Sequence, residues 1–167
     1  YLVGPEMSKT EERVRLSREG SFVAHTMKGT SKEFFKRHKR LLPIGADSQN
    51  NTIVVGLNCG FGNFGNPGAS KYDLFQSWYG DLSFLTSIQS LPLLFTCAND
   101  YEDVTGETMI LAGLLGAGFF SRPRKNEFSC ASTFVPPHVE LQDGTGALPQ
   151  EYSCGNSYWY GVQGSPV

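Results

Sequence analysis

No apolar run in this 167-residue chain approaches the roughly 20 residues that a membrane-spanning helix needs. Charged residues, at 18%, sit slightly low for a soluble globular protein, while hydrophobic residues, at 40%, are ordinary. There is no internal repeat and no low-complexity tract. The chain opens on Tyr1 rather than an initiator Met, which reads as a fragment or a processed form and leaves no targeting signal to interpret. The four cysteines, Cys59, Cys97, Cys130 and Cys154, never stand two to four residues apart, so zinc-finger spacing is excluded. They read as buried thiols acting as small hydrophobes, or as thiols of a reducing compartment. No phosphate-cradling GxxxxGK[ST] and no GxSxG elbow occurs. His25, His38 and His138 all fall outside the strand-end loops expected below, so no nucleophile constellation, no catalytic residue and no metal centre is expected.

What is present is a chain long enough to bury one core. Aromatic residues reach 13%, with 12 Phe, and the 19 Gly and 9 Pro imply many turns. Net charge is −2 but uneven: residues 1–40 carry +5 and residues 41–167 carry −7. A basic arm on an acidic body suits an anionic partner such as RNA, lipid or an acidic protein, or simply a solvated helix face.

The stretch TIVVGLNCGFGNFGNPG (52–68) is the centre of the chain. Its run Ile53, Val54, Val55, Leu57 lacks polar alternation, as in a strand covered on both faces. It feeds a glycine-rich loop. Upstream, Tyr1–Val3 reads as a strand closed by Gly4-Pro5. Residues 8–19 read as a short solvated helix or a loose excursion. Ser21–Met27 has strand character, and Ser31–Leu42 reads as a helix with Phe34, Phe35 and His38 on one face and Pro43 beyond its end. Downstream, Tyr72–Ile88 reads as a helix, Leu91–Cys97 as a buried strand and Val104–Leu115 as a packed helix closed by Gly116 and Gly118. Residues 121–127 read as a polar loop, Phe128–Val135 as a strand or extended segment, and Tyr158–Gln163 as a last strand. The pattern predicts a single α/β domain over 1–167, a Rossmann-like open and largely parallel sheet. Helices on both faces and edge strands from the C-terminal end complete it. Residues 8–43 would form a basic, partly helical insertion.

Two places invite chemistry. Gly60, Gly62 and Gly65 spell GxGxxG after a strand, with Asp81 about 20 residues on, where a ribose-binding acid would stand. Against this, Asn66-Pro67-Gly68 extends the loop before any helix, and Phe61 and Phe64 suggest that the loop packs on something apolar. The acids Asp100, Glu102, Asp103 and Glu107 follow the second buried strand. They read as a metal or acid/base cluster at strand carboxyl ends, or as a helix amino-terminus favoured by its dipole. Arg122, Arg124 and Lys125 form a small basic spot.

The order of YLVGPE (1–6), IVVGLNCGFG (53–62), Trp78, LPLLFTCAND (91–100), NEFSCAS (126–132) and CGNSYWYGVQG (154–164) resembles the C-terminal domain of MYND-type zinc finger proteins of the mitochondrial splicing suppressor group. The zinc finger itself is not in this sequence. The resemblance implies a Rossmann-like domain without established catalytic residues or cofactor, working through protein partners in mitochondrial translation and assembly, or in repression. The expected interaction residues are then Lys32, Lys36, Lys39 and Arg40 of the basic arm, with Phe61 and Phe64 of the loop. A nucleotide- or S-adenosylmethionine-binding protein through Gly60, Gly62, Gly65 and Asp81 is the alternative, and RNA contact through the basic arm a third.

Overall fold

The computed structural model describes residues 2–4, 12–15, 23–42, 52–62, 71–97, 101–129 and 156–164. Three strands, β1 (Leu2–Gly4), β2 (Glu12–Arg15) and β3 (Val23–Lys28), form a small sheet ordered β1-β3-β2. β1 runs parallel to β3 and β2 antiparallel to it. The polar stretch 8–19 thus contributes a strand where a helix or an excursion was expected. Its alternation Glu-Arg-Val-Arg suits a pairing strand better than an isolated helix of so few turns, which is marginal in water.

A tight sequence of caps then builds α1 (Ser31–Arg37). Thr30 accepts from the Glu33 amide while the Glu33 carboxylate accepts from the Thr30 amide, a reciprocal capping box. Phe34 and Phe35 are buried. A short 3₁₀ turn, Lys39–Leu41, follows.

The second sheet is ordered β4-β5-β7-β6, with β4 (Val54–Leu57), β5 (Leu93–Cys97), β6 (Gly118–Lys125) and β7 (Tyr158–Gln163). Only β4–β5 is parallel; β5–β7 and β7–β6 are antiparallel. The protein is therefore α/β with a mixed sheet, and the largely parallel sheet expected from the sequence is limited to one pair here. Two expectations change with it. The C-terminal strand β7 lies inside the sheet rather than at its edge, because its YWYGV run meets β5 on one side and β6 on the other. Residues 121–125, expected as loop, lie in β6, where alternate residues are half-buried. Their charged side chains belong to the outermost of the described strands, where solvent reaches them.

β4 is an edge strand among the described residues, not a central one. Its side chains alternate in burial, and Ile53 (52%), Val55 (48%) and Leu57 (66%) are exposed. An apolar run records hydrophobicity; it does not say that a second layer exists to cover it.

α2 (Lys71–Thr86) and α3 (Tyr101–Thr108) pack on the other face. Leu82, Leu85, Leu93, Phe95, Tyr160 and Val162 are buried there, each worth about 1.5–3 kcal/mol for an aliphatic or Phe side chain. α3 widens into a π-helical turn, Met109–Leu114, in which the Leu115 amide bonds to the Ile110 carbonyl at 2.9 Å. Gly116, at φ +66°, then reverses the chain into β6. Helices on both sheet faces are not seen among the described residues, since Val55, Leu57 and Phe120 on the opposite face are exposed.

Candidate functional site

The carboxyl ends of β4 and β5 and the start of β7 meet at the glycine loop. Asn58 leaves β4 at φ +49° and Gly60 at φ +63°, left-handed conformations that Asn and Gly tolerate best. A polar clasp holds this turn. The Asn58 amide donates to Thr96 Oγ1 (3.0 Å), Thr96 Oγ1 donates to Asn156 Oδ1 (2.6 Å), and the Asn156 amide donates back to Asn58 Oδ1 (2.7 Å). Asn126 extends it by donating from Nδ2 to the Asn156 carbonyl at 2.9 Å. Four elements separated by up to 98 positions are tied together by side chains that look like ordinary loop residues in the sequence.

Beneath the loop lies a buried carboxyl. Glu107, on α3, is fully buried. Its Oε2 accepts from the Tyr160 hydroxyl (2.6 Å) and from the Cys97 thiol (2.9 Å), while Oε1 makes no hydrogen bond within the described residues. Burial pushes the carboxyl up from 4.5 to about 7. The Cys97 and Tyr160 hydrogen bonds oppose that rise, Asp103 adds to it, and the Gly60 amide opposes it. Burial first, and Glu107 second, raise the Cys59 thiol to about 12. The same causes raise the Cys97 thiol and the Tyr160 hydroxyl far above their usual range. At neutral pH these three are therefore un-ionised donors and packing groups, not nucleophiles.

The loop sits flush on α3. A Cβ at Gly62 would collide with the Glu107 backbone nitrogen, and one at Gly106 with the Gly62 carbonyl. Glycine is required at both positions by close backbone approach, the role expected of the loop glycines, but the surface approached is protein. Phe61 fills the adjoining space. It is buried, 5.5 Å edge-to-face from Phe95 and 6.1 Å from Trp78.

The residues expected from the sequence are thus distributed as follows. Gly60, Phe61 and Gly62 line this buried junction; Phe64 and Gly65 lie outside the described residues, as do Asp100 and His138. Asp81 stands on α2, and its carboxylate accepts from the Ser31 amide (2.8 Å) and the Lys32 amide (3.2 Å), capping α1 from a neighbouring helix. Asp81→Ala should lower stability by about 1–2 kcal/mol in urea unfolding. A ribose-binding acid with no structural duty would leave the stability of the unliganded protein unchanged. Lys32, Lys36, Lys39 and Arg40 are all exposed. Of the acids after β5, Asp103 and Glu107 point inward and are buried, not clustered in solvent at a helix start. Their spacing of four residues places them on one helix face, the only sign in the sequence of a shared inward direction.

Among the described residues no group of three or more His, Cys, Asp or Glu could hold a metal ion, and no helix is long and apolar enough to cross a membrane. Set against known proteins, the chain matches no protein-family model, no curated protein and no solved structure.

Proposed function

We propose that this chain is a Rossmann-like interaction domain without a catalytic centre, a scaffold within a larger assembly of the kind its resemblance to the mitochondrial splicing suppressor group implies. The observation that carries the reading is the filled glycine loop. Phe61 occupies the space beside it, and Gly62 rests directly on Gly106 and Glu107. A dinucleotide loop instead leaves its backbone amides open to a pyrophosphate at a helix amino-terminus. The thiols nearby are raised in pKa, the opposite of what a nucleophile needs. The exposed cations Lys32, Lys36, Lys39 and Arg40 supply a face for an acidic protein partner.

The test has two parts. A thermal-shift titration with S-adenosylmethionine, NAD and ATP should be flat, whereas a ligand at 100 times its dissociation constant would add about 2.7 kcal/mol. Replacing the four cations by Glu should then shrink the native complex formed in mitochondria, read as its size on a native gel. A clear shift with any of the three ligands overturns the reading in favour of a small-molecule protein. The observation favouring that second reading is the buried Glu107 carboxyl at the strand carboxyl ends. RNA contact through the same cations would show instead as binding that falls steeply with salt.

A further inference from the structure

A cavity of about 190 Å³ lies between α1, α2 and the sheet. Its walls include Phe34 and Phe35 of α1, Trp78 and Leu85 of α2, Val54 of β4 and Phe95 of β5. It is a cleft open at the edge of β4, where Ile53 and Val55 are exposed, and concave sites with mostly apolar linings are where small ligands bind. Cavities of about 150 Å³ lined by aliphatic and aromatic side chains stay dry and take up benzene.

We propose that this cavity binds a small, neutral, flat aromatic molecule of about two fused rings. Three features set the class. Among the described residues the lining holds no Asp, Glu, Lys, Arg or His, so an ionised ligand would be desolvated without a partner from them. Four of the lining side chains are aromatic, and rings pack best on rings in offset or edge-on geometry. Ser31 and Thr52, among the described lining residues, carry hydroxyls able to serve one polar substituent. Access is at the strand edge, where the lining residues Ile53 and Val55 are about half exposed. The ligand enters by the side of β4 that no described strand pairs and stacks against Trp78. Neither Gly60 nor Gly62 lines the cavity, and it meets the glycine loop only where Trp78 and Phe95 of its wall also contact Phe61. It is independent of whether the domain is a scaffold.

The probe is 2-naphthol, neutral at pH 7, with naphthalene-2-sulfonate as its charged counterpart. Trp78 and Trp159 are the two tryptophans, so Trp159→Phe leaves Trp78 as the single fluorescent reporter. In that background 2-naphthol should quench Trp78 emission saturably with one-to-one stoichiometry in calorimetry. The sulfonate should bind at least tenfold more weakly. Nuclear Overhauser contacts should join the naphthol ring to the methyl groups of Val54 and Leu85. The proposal is overturned by no heat and no quenching up to the solubility limit in a folded sample, by equal binding of the sulfonate, or by ligand contacts to other methyl groups. Leu41→Trp, which places an indole at the cavity wall from a half-buried position, should abolish binding while the protein stays folded by circular dichroism. Retained one-to-one affinity in that folded variant would equally overturn it.

Discussion

Between pH 4.5 and about 7 the protein should lose about 3 kcal/mol of stability through Glu107 alone, at about 1.4 kcal/mol per unit of pKa displacement. The direction follows from the raised carboxyl. Below pH 4.5 the folded and unfolded chains both hold the proton, and the buried neutral acid contributes in full. As pH rises, the unfolded carboxyl ionises first, so the folded state binds more protons and stability falls. Above about 7 both forms are ionised and the loss levels off. Glu107→Gln removes the titration while keeping shape and an acceptor for Tyr160 and Cys97. The difference in unfolding free energy between wild type and Glu107→Gln, measured in urea from pH 4 to pH 8.5, should change by about 3 kcal/mol in the stated sense. A difference that stays flat, or that favours the wild type as pH rises, would show that Glu107 is not buried as described. Glu107→Ala should do worse at every pH. It leaves the Tyr160 hydroxyl and the Cys97 thiol without their acceptor and opens a void, together about 3–5 kcal/mol.

The same residue shows where reading the sequence succeeds and where it stops. β4, β5, α2 and β7 are legible because each is a continuous run of the right period with turn residues at its ends. The capping box of α1 joins Thr30 and Glu33, one residue before Ser31, where the sequence suggests the cap, and a further cap, Asp81, comes from 50 positions away with no local pattern to announce it. The Asn58–Thr96–Asn156 clasp is illegible for the same reason. Sheet order is harder still. Apolar runs in β4 and β7 look alike, yet one ends at an edge and the other lies inside the sheet. Glu107 reads as a surface acid near a helix start. Only its register with Asp103, and a core rich enough to close over both, makes it an interior group.

Phe61→Ala should lower stability by about 3–5 kcal/mol. The ring is buried, and its edge-to-face contact with Phe95 adds about 0.5–1.5 kcal/mol beyond area alone. The loop has little means of closing the void. On one side Gly60 is held at positive φ, and the clasp on Asn58 fixes the chain just before it. On the other, Gly62 already touches the backbone of α3 and has nowhere to advance. A hole that cannot collapse carries the full penalty, so Phe61→Leu should recover about half of the loss. Urea unfolding at pH 6 measures both variants without ionising most of Glu107. The size of the loss also bears on what the loop is for. A value near 4 kcal/mol means that Phe61 is a structural wall and the loop a fixed part of the core. A value below about 1 kcal/mol would mean that the ring can leave without consequence. The space beside Gly60 and Gly62 could then open, and a ligand-binding loop would displace the interaction domain as the better account.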